Sequence, residues 1–144
     1  MPALSASDIE LAQASFERLA PNARQFTFEF YRRLFAIDPT LRPMFRPNLE
    51  SQADRLLAVL AYVVSNLDDV ESLLRTGREL GARHVVYGVK DAHYETVGCA
   101  LIETLDAMLG KHFTPAVERT WSKIFETVSQ AMIAGANESC GYAA

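Results

Sequence analysis

From Arg78 to Gly98 the chain reads Arg-Glu-Leu-Gly-Ala-Arg-His-Val-Val-Tyr-Gly-Val-Lys-Asp-Ala-His-Tyr-Glu-Thr-Val-Gly. Leu73, Gly77, Leu80 and His84 fall three and four positions apart, so on a helix they share one face. An imidazole therefore stands where an aliphatic side chain belongs. A lone buried histidine is most often a core residue whose ring nitrogens are satisfied by backbone or solvent. What surrounds this one decides its meaning. Gly88 breaks the helix, and Asp91 is placed to cap a new one beginning at Ala92. That second helix carries Tyr94, Val97, Leu101, Leu105 and Met108 on one face. A histidine closing one apolar stripe, followed by a turn into another, points to a ligand for something held between them.

The remaining chain is helical by pattern. Strand alternation does not persist, and neither Asn-Gly nor Asp-Gly occurs as a hairpin turn. Ser5 and Asp8 form a capping-box pair that opens a helix through Ile9, Phe16 and Leu19. Pro21 suits the first turn of the next helix, which runs to about Ile37 through Phe26, Phe28, Phe30, Tyr31 and Phe35. Asp38-Pro39 starts a short helix expected to stop before Pro43, and Met44–Asn48 with Pro47 is a corner. A long helix from about Leu49 to Leu67 shows Leu49, Gln52, Leu56, Leu60, Val63 and Leu67 on one stripe, and a shorter one spans about Val70 to Val85. The Ala92 helix stops at Gly110. Thr114-Pro115 opens the last, with Val117, Trp121, Ile124, Val128 and Met132. The expectation is one all-α domain over 1–144, with an ordered core of about 5–135 and a frayed tail over 136–144.

A chain of 144 residues can bury a substantial core. Its net charge of −4, without basic runs, argues against nucleic acid. Cys99 and Cys140 match no metal spacing; Cys99 is expected to pack as a small apolar residue. The N-terminus lacks the pattern of a signal peptide and no apolar run reaches membrane-spanning length, so a cytoplasmic protein, monomer or dimer, is the simplest expectation. His93 and His112, near helix starts, are expected to be solvated.

Several polar residues sit where the patterns call for apolar ones. Gln52 lies on the buried stripe of its helix, one turn before Leu56. Tyr31 stands among phenylalanines, and Phe45 sits in a corner after Pro43. Taken singly, each has an ordinary reading: a helix-start polar residue, a core tyrosine bonded to a carbonyl, a core plug. Arg55 and Arg83 would by default be surface charges. Taken together they describe a pocket, with His84 on one wall, Gln52 and Leu56 on the other and Tyr31 behind. One histidine supplies a single axial bond to a haem iron and leaves the opposite position open, where pocket polarity governs ligand chemistry. The arginines suit propionate carboxylates.

At these residues the chain resembles a globin, most of all the single-domain bacterial haemoglobins, the haem domain of flavohaemoglobins and neuroglobin-like bacterial globins. The matching stretches are Phe30–Phe45, Ser51-Gln52 leading to Leu56, Arg83-His84 through Tyr94 to Gly98, and Trp121. The resemblance implies a three-over-three helical sandwich around haem b (iron protoporphyrin IX). It implies His84 as proximal ligand, Phe45 against the porphyrin face, and Tyr31, Gln52 and Leu56 in the distal pocket. Arg55 and Arg83 would lie near the propionates, while Leu80, Tyr87, Val89 and Val97 would border the cofactor. Vertebrate globins and neuroglobin carry histidine where this chain has Gln52, so a bis-histidine resting state is not expected. Tyr94 matches the proximal tyrosine of flavohaemoglobins, but their glutamate register falls at about Gly135–Ala136, with Glu138 the nearest acid.

The implied function is reversible, high-affinity binding of dioxygen, with CO and NO as further ligands. An enzymatic alternative is nitric oxide dioxygenation through Tyr31 and Gln52. The chain ends where a flavin reductase domain would begin, so that reading needs an external reductase. A haem-free helical adaptor is the third reading, and His84 counts against it.

Overall fold

The structure is a computed structural model that describes residues 4–45, 48–86 and 89–143, and, within these, all side chains but those of 85–86 and 139–143. The sequence positions Tyr87, Gly88 and Pro47 and the Cys140 side chain lie outside the described residues. Six α-helices follow one another among the described residues: α1 (Ala6–Leu19), α2 (Ala23–Ile37), α3 (Glu50–Ser65), α4 (Val70–Val86), α5 (Asp91–Leu109) and α6 (Pro115–Ala143), with short 3-10 turns at Ala20–Asn22, Pro39–Met44 and Gly110–His112. Among them there is no strand, and no helix is long and apolar enough to cross a membrane.

Helix α1 starts where the capping box requires. Asp8 N–H donates to Ser5 Oγ and Ser5 N–H to the Asp8 carboxylate, both at 3.0 Å. The same carboxylate accepts from Thr120 Oγ1 at 3.0 Å and lies 3.4 Å from Lys123 Nζ, so the cap also ties α1 to α6. These partners, the Ser5 amide first, hold the Asp8 carboxyl down at about 2 against an ordinary 3.8. Deeper in the same interface, Trp121 Nε1 donates to Ser15 Oγ at 2.8 Å, which satisfies the one polar atom of a ring only 1 % exposed.

Helix α2 turns Phe26, Phe30, Tyr31 and Leu34 inward and leaves Phe28 outside at 65 % exposure. Its inner face lies along α5, where Leu101, Leu105 and Thr104 are buried. The turn after α2 is capped as expected, Thr40 N–H donating to Asp38 Oδ1 at 3.1 Å. It runs on through Pro43 instead of stopping before it. The closing bond, Phe45 N–H to the Arg42 carbonyl at 3.1 Å, needs no N–H from the proline.

Helix α4 lies along α6 in the most extensive helix pairing of the molecule. Three glycines permit it. A Cβ on Gly81 would come 1.8 Å from the Met132 carbonyl oxygen, one on Gly135 would come 2.0 Å from that of Arg78, and one on Gly77 would sit 2.7 Å from Ala131 Cβ. Gly135 is thus a point of backbone contact within α6, and the helix continues to Ala143 instead of ending there. Helix α3 packs on α1 and α2 instead. It meets α4 near the turn between them, where Tyr62 Oη donates to Ser72 Oγ at 3.3 Å and accepts from Thr76 Oγ1 at 3.2 Å.

Helix α5 begins one residue earlier than its sequence implies. Lys90, not Asp91, is the cap: its N–H donates to His93 Nδ1 at 2.9 Å, and Asp91 sits in the first turn, where its charge favours the helix N-terminus. His112 is likewise engaged, Nε2 accepting from the Arg18 guanidinium at 3.2 Å. The helix stops at Gly110, whose φ of 56° is in the left-handed region. Cys99 is exposed, because it lies two residues from Leu101 and so on the far side of α5 from the buried face.

Two outcomes follow. Gly81→Ala forces α4 from α6 and should lower stability by about 3 kcal/mol or more, at the upper end for overpacking; a denaturant melt that matched Cys99→Ala would contradict the close crossing. The depressed Asp8 carboxyl stabilises the fold above its ordinary value of 3.8, and that contribution is lost as pH falls toward 2. The melting-temperature gap between the wild type and Asp8→Asn should therefore narrow over this range.

Candidate functional site

Because α4 follows α6 while α3 follows α1 and α2, a wedge lies between α3 and α4. It holds a cavity of about 220 Å³, lined by Ala58, Val59, Tyr62 and Val63 from α3 and by Leu73, Thr76, Gly77, Leu80 and Arg83 from α4, with Val128 of α6 behind. The lining is mostly apolar. Tyr62, Thr76 and neighbouring Ser72 fasten the end near the α3–α4 turn, a polar clasp that the apolar periodicity of the sequence does not reveal. Its signal is three hydroxyl residues on two consecutive helices.

His84 stands at the opposite end of α4, next to Arg83 and one turn beyond Leu80. Its Nδ1 lies 2.6 Å from the Leu80 carbonyl oxygen. A carbonyl can only accept, so Nδ1 carries the proton, and in the neutral ring Nε2 bears the lone pair. Fixing the tautomer through a backbone carbonyl is the usual way a ligating histidine is oriented. The residue's own carbonyl accepts from Val89 N–H at 3.1 Å, which ties the end of α4 to the approach to α5. The helix that carries His84 is the one pressed against α6 through Gly77 and Gly81, so the ring sits on a stiff support.

The second group of residues gathers on the α2–α3 side. Tyr31 is 5 % exposed and its Oη donates to the backbone carbonyl of Gln52 at 3.3 Å. Its ring meets Phe30 edge-on at 5.1 Å and Phe45 at 5.7 Å and stacks on Phe35 at 6.0 Å; Phe35 and Phe45 are 5.4 Å apart. The Arg42 guanidinium lies 5.3 Å from the Phe35 ring. Burial pushes the Tyr31 phenol well above its ordinary value, so the hydroxyl stays protonated and remains a donor. The Gln52 side chain, with Asn48, Ser51 and Arg55, lines a small recess of about 40 Å³ at the start of α3. The structure thus joins Tyr31, Phe45 and Gln52, as their pattern implies, but through the Gln52 backbone instead of its amide. Leu56 and Leu80 are half-buried, and Arg55 and Arg83 are exposed. Tyr94 is buried on α5, its phenol raised by burial and then by the Asp91 charge. Val97 packs on the core, and Val89 is half-buried beside the α4 terminus.

The chemistry of this donor set is specific. Among the described residues no three of His, Cys, Asp or Glu gather to hold a bare metal ion. An ion taken by His84 must bring its other ligands with it. A macrocycle that carries its own nitrogen ligands and acidic side groups would suit an apolar wedge with Arg83 on its wall and an oriented imidazole one turn beyond Leu80.

Comparison with known proteins identifies the family. A globin family model matches residues 28–132. The neuroglobin of Dissostichus mawsoni is 30 % identical over 94 % of each chain, and that of Danio rerio 28 % over 94 % of each. A solved bacterial globin from Campylobacter jejuni superposes with a TM-score of 0.81 at 22 % identity, covering 93 % of this chain and 97 % of that one; at that identity it speaks to the fold. With well over half of its length matched by the family model, the chain belongs to the globin family, and a haem cofactor and the binding of gas ligands such as dioxygen come with that membership.

Proposed function

We propose that this globin binds dioxygen reversibly and tightly, holding non-covalent iron protoporphyrin IX through His84 on one face, with Tyr31 and Gln52 attending the other. Haem, if bound, would supply an iron able to take the His84 imidazole and a diatomic gas. The observation that carries the reading is the 2.6 Å bond from His84 Nδ1–H to the carbonyl of Leu80, a residue that lines the apolar wedge. It leaves the imidazole in the tautomer that ligates through Nε2 and strengthens it as a base. Gln52 is a poor ligand for iron, so the gas position has no competing side chain of that kind.

On the distal side the chain's contribution is hydrogen bonding. The Tyr31 hydroxyl, kept protonated by burial, donates to whatever acceptor lies within reach. A gas ligand that draws negative charge is a stronger acceptor than the Gln52 carbonyl it bonds now. The Gln52 amide adds a second donor if it swings from the recess at the start of α3. Phe45 and Phe35 hold the phenol in place and keep water from it. Arg55 and Arg83 provide cations for the propionate groups.

A hydrogen bond to a charged partner contributes about 1.5–3 kcal/mol, so Tyr31→Phe should speed dioxygen release about tenfold or more. Gln52→Leu should have a smaller effect. Stopped-flow release rates unchanged in both variants would sink the distal assignment. His84→Ala should lose most of its haem, read from the absorbance of protein purified after porphyrin supplementation.

A further inference from the structure

The rings around the Tyr31 phenol are not all held by a helix. Phe35 and Phe45 each contact the Tyr31 ring, with centroids 6.0 and 5.7 Å away, and each other at 5.4 Å. Rings packed this closely turn together, so the places of Phe35 and Phe45 decide where the phenol points. Phe35 follows Tyr31 by one turn of α2 and shares its hydrogen-bond ladder. Phe45 lies beyond the Pro39–Met44 turn in extended backbone, with φ −111° and ψ 153°. No helix fixes it.

Arg42 supplies the restraint. Phe45 N–H donates to the Arg42 carbonyl at 3.1 Å, and the Phe45 carbonyl accepts from the Arg42 guanidinium at 3.4 Å. Both backbone polar groups of Phe45 therefore reach one residue. The same guanidinium lies 5.3 Å from the centroid of the Phe35 ring, within the range of a cation–π contact. We propose that Arg42 is a positioning residue for the Tyr31 hydroxyl: by holding Phe45 against Phe35, it fixes the direction in which the phenol donates. The inference rests on Tyr31 being the distal donor to a bound gas.

The chemistry of the side chain suits the task. A planar guanidinium can lie against an aromatic face and still aim an N–H at a carbonyl. An ammonium keeps the charge and the donor without the plane, and a thioether of similar reach keeps neither. The Tyr31 hydroxyl meets the Gln52 carbonyl at 3.3 Å, a long bond for a hydroxyl donor, so ring packing governs its direction more than that bond does. The guanidinium contacts are with Phe35 and Phe45, and its influence on the phenol passes through those rings.

The test compares haem-loaded wild type, Arg42→Met, Arg42→Lys, Tyr31→Phe and the double variant of Arg42→Met with Tyr31→Phe. Two quantities are read: the dioxygen release rate by stopped flow, and the C–O stretching band of the carbon monoxide-saturated protein, which reports donors beside the ligand. A third is the Tyr31 ring-flip rate, followed by NMR in the haem-free protein. Arg42→Met should speed release about threefold, the scale of one cation–π contact, shift the C–O band and quicken the ring flip. Arg42→Lys should recover most of each change. In the Tyr31→Phe background Arg42→Met should add nothing to the release rate, because the hydroxyl through which it acts is gone. Equal acceleration in both backgrounds would overturn the inference, as would an Arg42→Met protein with the wild-type band and release rate. Should Arg42→Met not fold, Arg42→Gln, which drops the charge, carries the same comparison. Release unchanged by Tyr31→Phe alone would instead overturn the distal assignment, leaving the two failures distinct.

Discussion

The backbone of α4 lies so close to α6 that glycine is the only residue admissible at the crossing, and the site's geometry descends from that contact. At Gly81 and Gly135 an added Cβ would fall within about 2 Å of a carbonyl oxygen on the opposing helix. Two helices locked at that distance cannot slide or rotate without a clash. Helix α4 is therefore committed to α6, and α3, engaged with α1 and α2, cannot also lie flush against it. The wedge between α3 and α4 is what remains. His84 gains its orientation from the same source, because the Leu80 carbonyl that receives its proton belongs to the immobilised helix.

Much of this was legible beforehand. The Ser5–Asp8 box, the Asp38 cap, the Gly110 stop and the order of helices all rest on local chemistry, and local chemistry is written residue by residue. His84 stood out because one polar ring interrupts an apolar stripe. Gly77 and Gly135 were harder. In a sequence a glycine on a stripe reads as a small filler, and one late in a helix reads as its end; only the partner helix, distant in the chain, gives either its meaning. Tyr31 meets Gln52 through the Gln52 backbone carbonyl, an atom that side-chain patterning does not single out. Cys99 is expected to pack as a small apolar residue, but its angular offset from Leu101 puts it outside.

The two groups of residues, around His84 and around Tyr31, do different kinds of work. On the α4 side a backbone bond sets a tautomer, and little can move. On the α2–α3 side the Tyr31 hydroxyl meets a carbonyl at 3.3 Å, longer than the ordinary O–H···O range of about 2.5–3.0 Å. A weak resting partner leaves the hydroxyl available to a better one. In the proposed function that asymmetry separates retention, which needs rigidity, from ligand discrimination, which needs a donor that can choose its acceptor.

Acidity would bear on these sides unequally. The Tyr31 phenol is driven upward by burial, away from physiological pH, so its hydroxyl keeps its proton there. Asp8 responds only in strong acid, because its partners favour the charged form. Between about pH 5 and 8, histidine is the side chain whose ordinary charge change falls in range. His112 is pushed downward, by burial first and then by the charges of Arg18 and Lys111, and it braces α1 against the turn after α5, remote from the wedge in sequence and contacts. His93 Nδ1 accepts from Lys90 N–H at the start of α5 and so belongs to that helix's own first turn.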